Sequence, residues 1–309
     1  MRKVIGIGEI ILDIIFNDNK PHIAMPGGSV FNGMVSLSRL GIPVSFIGEV
    51  GNDHVGKIAM DFMQANQMTT EYINKISDKN TPISLAFLNE MKNADYIFYS
   101  NNADFFINNS LPIINQDDIV ILASYYALNP LHRERIIELL EYARVQKAII
   151  YYDLNFRKSH AHDAIRVRSS VIENYEFADI VRGSDEDFLN LYEKTNCEQV
   201  YKDEVQFYCN KLITTQGSEG IDLFTGLFNL HFDSIPIVPV STIGAGDNFN
   251  AGFIYGLIKY NIGYNDLSSI NQEKWRKIIS CGIDFSTEVC QYYSNYLSLE
   301  FAEKYGIIK

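Results

Sequence analysis

The chain has 309 residues, 47% of them hydrophobic, with a net charge of −12 and a pI near 5.0. That is apolar material enough for one large α/β domain or two smaller ones. Without a cluster of Lys and Arg it excludes a nucleic-acid-binding surface, since phosphate backbones are held by such clusters.

The opening run "VIGIGEIILDIIF" is interrupted by Glu9 and Asp13. It is too short to span a bilayer and is followed by no cleavage-site pattern, so it reads as a core strand of a cytoplasmic protein with no membrane partner. The four cysteines, Cys197, Cys209, Cys281 and Cys290, show no metal-binding spacing and read as reduced, buried small residues.

From there, short apolar runs alternate with amphipathic segments, the pattern of an α/β fold with a central, mostly parallel sheet and helices on both faces. "KVIGIG" is the first strand, with Asp13 expected at its end. Ser29 occupies a helix N-cap position before Val30, Phe31, Met34, Leu37 and Leu40 at helical spacing, and Gly41 and Pro43 end the helix. "VSFIGEVG" follows as a strand. Pro82 to Asn101 departs from the alternation, because two strand-like runs flank a polar turn with no helix between them. A β-hairpin is expected there, burying Leu85, Phe87, Ile97 and Tyr99 over a ligand crevice or against a second copy of the chain. "DDIVILAS" and "KAIIYYD" are strands on either side of the helical "HRERIIELLEYARV", and "ADIVRGS" and "NKLITTQG" continue the series. No repeat or Pro/Ser-rich linker divides the chain, which predicts a single domain over 1–309 with a small β lid formed by roughly 14–26 and 82–108.

The stretch "VSTIGAGDNFNAGFIYGL" places Gly244, Ala245, Gly246 and Asp247 ahead of a helix from Asn248 onward, with Phe249, Phe253, Ile254, Leu257 and Ile258 on one face. Ala251, Gly252 and Gly256 let that helix lie close to its neighbours. Backbone N–H groups at a helix mouth favour an anion. A carboxylate beside them is awkward for anion storage but suits phosphoryl transfer, where it accepts the proton of the attacking hydroxyl. On these residues alone, a helix cap after a tight glycine turn fits equally well.

"STIGAGDNFNAGF" resembles the second signature of the PfkB, or ribokinase-like, family of carbohydrate kinases, D-T-x-G-A-G-D-x-F. "PGGSVFNGMVSLSRLG" with Gly51 resembles the first signature, "DLNFR" the family's D-x-N-x-R and "TQGSEG" its T-x-G-x-x-G. The order and spacing hold over nearly the whole chain. The resemblance implies a ribokinase-like fold and an ATP-dependent sugar kinase with Asp247 as base and the Gly244, Ala245 and Gly246 amides as anion hole. Asp13, Gly28, Asn32 and Arg157 are then on the sugar side, and Asn155, Ser184, Thr215, Gly217 and Gly220 on the nucleotide side. In "DLNFR", Asn155 and Arg157 alternate with apolar residues, which predicts one shared face for the polar pair. A small-molecule sugar and a nucleotide with Mg²⁺ are the implied partners, and a homodimer could form through the β lid.

The chain departs from the family in three places. Ser184 and Asp187 stand where N-x-x-E is usual, which leaves Asp187, acting on Mg²⁺ through water, or its neighbours Asp185 and Glu186. Ser241 replaces the leading Asp of the second signature, so no activation by a monovalent cation is expected. Ser100, Asn101 and Asn102 stand where fructokinase-like members carry an Arg, and uncharged groups suit a neutral sugar, fructose or a similar ketose. A nucleoside kinase on the same fold, with Phe87, Phe98 and Tyr99 near a base, and a sugar- or nucleotide-sensing protein without turnover are the alternatives.

Overall fold

The computed structural model describes residues 2–99 and 110–306. In chain order these begin with β1 (Val4–Ile7), β2 (Ile11–Asn17), β3 (Lys20–Gly27), α1 (Ser29–Arg39), β4 (Val44–Gly51), α2 (His54–Ala65), β5 (Ile73–Ile76), β6 (Ile83–Leu88) and β7 (Ala94–Tyr99). The middle of the chain forms β8 (Ile119–Ala123), α3 (Arg133–Val145), β9 (Ile149–Asp153), α4 (Ala164–Phe177), β10 (Ile180–Ser184), α5 (Asp185–Tyr192) and α6 (Cys197–Val200). After β11 (Lys211–Thr215), β12 (Ile221–Thr225) and β13 (Asn229–Phe232) come α7 (Ala245–Lys259), α8 (Gln272–Val289) and α9 (Leu299–Tyr305). Two compact units result, one of Met1–Pro112, Ile237–Ile262 and Glu273–Lys309, the other of Ile113–Pro236 and Gly263–Gln272.

In the first unit β1, β4 and β5 run parallel, with Val4 opposite Val44 and Gly48 opposite Ile73. Every residue of β4 is buried, as expected of a strand covered on both faces. α1 begins one residue away from the expected cap. Gly28 is the N-cap at φ 138°, and Ser29 is the first helical residue, with no side-chain cap bond. Only glycine suits position 28, since a Cβ there would stand 2.3 Å from the Glu9 carbonyl oxygen. Gly41, at φ 76°, follows the end of the helix as predicted.

The same unit carries a second, four-stranded sheet in the order β3-β2-β6-β7. Asp13 belongs to this sheet and not to the end of β1. The chain leaves β1 at Ile7 and re-forms as β2, where burial alternates and turns Ile11, Asp13 and Ile15 to the covered face. β6 lies parallel to β2 with Ser84 opposite Asp13, and β6 and β7 form the expected antiparallel hairpin. Its covered face is the other one: Ser84 and Ala86 are buried, Leu85 and Phe87 half-buried, and Ile97 and Tyr99 exposed. The period of two decides this, because the register that brings Ser84 to Asp13 turns the odd-numbered residues of β6 outward.

In the second unit β8, β9, β10 and β11 are parallel, and β12 and β13 extend the series antiparallel. Its interior is built on Leu122, Tyr151, Tyr152, Phe188 and Leu212. The four cysteines are free and buried, as their sequence contexts implied. Among the described residues no helix is long and apolar enough to cross a membrane.

Candidate functional site

Residues 233–243 approach the glycine turn without forming a strand. α7 starts at Ala245, three residues before the expected Asn248, with Gly244 as a left-handed N-cap at φ 77°. Gly246 and Asp247 therefore lie in the first helical turn. The Ala245 N–H donates to the Thr242 carbonyl at 3.2 Å, so of the three amides expected to face an anion, those of Gly244 and Gly246 remain. The preceding residues brace the turn. The Oγ of buried Ser241 accepts from the Ile243 N–H at 3.2 Å. Thr242 reaches the β6–β7 hairpin, its hydroxyl donating to Asn93 Oδ1 at 2.8 Å and its N–H to the Lys92 carbonyl at 3.1 Å.

α7 is held by close helix packing. A Cβ on Gly252 would lie 2.2 Å from the Cys281 carbonyl of α8, and one on Gly33 of α1 would lie 3.0 Å from the Asp247 carbonyl. Those contacts set Asp247 beneath the half-exposed glycine turn with only 6% of its surface exposed. Asn32, one α1 turn past Gly28, donates from Nδ2 to Asp247 Oδ2 at 2.8 Å. Two residues that the sequence singles out separately, Asn32 for the sugar and Asp247 as base, are thus brought into contact, with Asn32 Nδ2 oriented toward the carboxylate.

Asp13 is also buried, and its two oxygens have different donors. The Ser84 hydroxyl donates to Oδ1, and Asn295 Nδ2 donates to Oδ2 at 2.7 Å. Gly27 leaves room for this carboxylate, since a Cβ there would be 2.0 Å from Asp13 Oδ2. Asn248, next to Asp247, donates to the Gly244 and Asn295 carbonyls, each at 2.8 Å, and accepts from Ser36 Oγ at 2.5 Å. Ser84, Asn248 and Asn295 escaped the sequence analysis. Asn248 was detectable as the polar neighbour of Asp247, whereas nothing near Ser84 or Asn295 in sequence marks them.

The residues expected on the nucleotide side belong to the second unit. Thr215 ends β11 and accepts a hydrogen bond from Arg182, which also grips Asp153 through Nη1 at 2.9 and 3.2 Å. Burial opposes the charge on Arg182, but Asp153 and Asp187 outweigh it and hold the guanidinium above its ordinary pKa. Gly217 and Gly220, at φ 55° and 104°, shape the turn from β11 into the antiparallel β12. Asn155 and Arg157 do not share a face. Asn155 takes φ 38° after β9 has ended, which breaks the alternation, so Asn155 is buried and Arg157 exposed. Ser184 and Asp187 form a capping box at the start of α5, with the Ser184 N–H donating to Asp187 Oδ2 at 2.7 Å and the Asp187 N–H to Ser184 Oγ at 3.1 Å. The other Asp187 oxygen accepts from the Phe156 N–H at 2.7 Å. Ser100, Asn101 and Asn102, on which the neutral-sugar expectation rests, and the end of the 82–108 lid segment lie outside the described residues.

The family model for pfkB family carbohydrate kinases matches residues 1–301. The chain belongs to that family. It is accordingly a carbohydrate kinase, a phosphotransferase with an alcohol group as acceptor. This pfkB kinase is 24% identical over 263 residues to a fructokinase of Vibrio alginolyticus, covering 84% of this chain and 85% of that one. Its fold superposes on that of a fructokinase from Vibrio cholerae O395 in fructose-, ADP- and calcium-bound form, with a TM-score of 0.83, 18% identity and coverage of 100% and 99% of the two chains. An aminoimidazole riboside kinase from Salmonella enterica, complexed with aminoimidazole riboside and an ATP analog, gives a TM-score of 0.81 at 21% identity, covering 98% of each chain. The ribokinase-like fold expected from the sequence is therefore the fold of this kinase.

Proposed function

We propose that the protein transfers the γ-phosphoryl group of ATP to a hydroxyl of a neutral sugar, fructose or a similar ketose. The observation that carries this reading is the mouth of α7, where Asp247 is buried under a turn whose Gly244 and Gly246 amides meet no acceptor among the described residues. Asp247 accepts the proton of the attacking hydroxyl while those amides and the positive end of the helix hold charge on the phosphoryl group. Asn32 orients the carboxylate, and Asp13, with Gly27 against its Oδ2 and Gly28 following Gly27 in the chain, takes hydroxyls of the sugar. Thr215, Gly217, Gly220, Asn155 and Ser184 serve the nucleotide, and the planar guanidinium of exposed Arg157 suits an oxyanion of the acceptor.

Mg²⁺, when bound with the nucleotide, neutralises phosphate charge. Both Asp187 oxygens already accept backbone N–H groups, which makes that residue a poor direct ligand. The exposed Asp185 and Glu186 of the same helical turn are the carboxylates that suit a hydrated ion held chiefly by phosphates. The uncharged Ser241 gives no support to a monovalent-cation site. Exposed Ile23, Ile97 and Tyr99 on the small sheet support pairing of two copies through that surface, which light scattering tests directly.

The deciding experiment is coupled ADP release from MgATP with a panel of sugars and nucleosides. Turnover highest on fructose supports the reading, whereas turnover on ribosides alone assigns the protein to nucleosides. Binding without turnover on every acceptor makes it a sensor.

A further inference from the structure

Asn295, between α8 and α9, is fully buried and touches both halves of the chemistry proposed above. Its side-chain N–H donates to Asp13 Oδ2 at 2.7 Å, and its backbone carbonyl accepts from Asn248 Nδ2 at 2.8 Å. That same Asn248 nitrogen donates to the Gly244 carbonyl at 2.8 Å. Asn295 also lies directly against the turn, since a Cβ on Gly244 would be 2.7 Å from its carbonyl oxygen. One residue thus joins the carboxylate on the acceptor side to the turn on the phosphoryl side.

The amide is an expensive choice at this place. Its Oδ1 is buried and meets no donor among the described residues. A buried acceptor of that kind costs about 1–3 kcal/mol, so packing alone would favour an apolar side chain. What the amide contributes is the N–H on Asp13, and its orientation follows, because the flipped amide would set Oδ1 against a carboxylate oxygen. With Ser84 on the other oxygen and Gly27 against the second, Asp13 is held from three directions.

We propose that Asn295 is a positioning residue, which presents Asp13 to a hydroxyl of the acceptor and fixes its distance from the Gly244 turn, so that the bound sugar meets Asp247 in reacting geometry. The proposal rests on the sugar-kinase reading. It predicts that losing the amide harms both acceptor binding and turnover while leaving nucleotide binding alone.

The test is steady-state kinetics of full-length Asn295→Ala and Asn295→Asp with MgATP and fructose, or the panel sugar that the wild-type protein turns over fastest. In Asn295→Ala the sugar KM rises and kcat falls, each by about tenfold, as expected for loss of a hydrogen bond to a charged group, and the KM for ATP stays within about twofold. Asn295→Asp sets a second carboxyl against Asp13, and the pair shares one proton in acid, where the introduced acid donates as the amide did. On losing that proton the two carboxylates repel, so the sugar KM of this variant approaches wild type near pH 5 and climbs about tenfold by about pH 8. A merely structural role produces no such profile, and Asn295→Asp carries the test if Asn295→Ala does not fold. Wild-type kinetics in Asn295→Ala, or the same pH profile in Asn295→Asp as in wild type, overturns the proposal. Failure of the wild-type protein on every sugar is seen without any variant and overturns the kinase reading beneath it.

Discussion

In the proposed reaction Asp247 is the residue on which the chemistry turns, and its burial beneath a half-exposed glycine turn favours that role over that of a surface cap. Replacing it with Asn keeps the volume and an acceptor for Asn32 but removes the proton acceptor. Asp247→Asn should therefore lower kcat by about 10²–10⁴, with sugar binding by calorimetry nearly unchanged. Unaltered turnover would return Asp247 to a capping role. At this scale the sequence was informative wherever chemistry and chain order coincide, as in Gly244 to Asp247, Gly28 and Asn32. It was silent on Asn295 and Ser84, which reach Asp13 from 282 and 71 positions away, since only the folded chain brings such residues together. Asp187 is ambiguous for the opposite reason, because a carboxylate three residues after a serine suits a capping box, which the folded chain forms, as well as a metal held through water.

The elements were legible where an apolar period is long and closed by glycine or proline. β4, α3 and β9 lie where the sequence puts them, and "VSFIGEVG" matches its strand residue for residue. Boundaries failed where tertiary contacts decide them. Gly28 takes the cap from Ser29 because the chain passes against Glu9, and β1 and β2 divide one apolar run between two sheets. The packing of α7 on α8 gives a test at this level. Gly252→Ala would force a Cβ to within 2.2 Å of the Cys281 carbonyl, so the helices must separate. The expected cost is about 1–3 kcal/mol in urea denaturation, together with reduced turnover as Asp247 shifts with its helix. A variant as stable as wild type would show that α7 has slack to move.

For the molecule as a whole, net charge is a poor guide to pH response, to which two buried groups of the second unit contribute in opposite senses. Burial pushes the His132 imidazole down to about 4, and burial likewise pushes Asp179 up to about 6. The unfolded chain takes up the histidine proton more readily, so that contribution is lost as pH falls from about 6.5 to 4, whereas the carboxyl contribution is lost as pH rises from about 4 to 6. The two oppose each other over that window. His132→Phe keeps a ring stacked on Tyr126, now 4.2 Å away, and removes one of them. Its stability relative to wild type should grow by about 1.4 kcal/mol per pH unit on acidification from about 6.5, and a constant difference in urea titrations would show that His132 does not titrate in this way. In the first unit, Thr242 ties the tip of the hairpin to the loop before Gly244. If that hairpin lifts to admit an acceptor, as the proposed reaction would require, the Gly244 turn would slacken in the same stroke, and ATP would be less readily spent on water while the hairpin stood open. Thr242→Val, which cuts the hydroxyl bond, should raise sugar-independent ADP release relative to sugar-dependent turnover, and an unchanged ratio would mean that entry and readiness are governed apart.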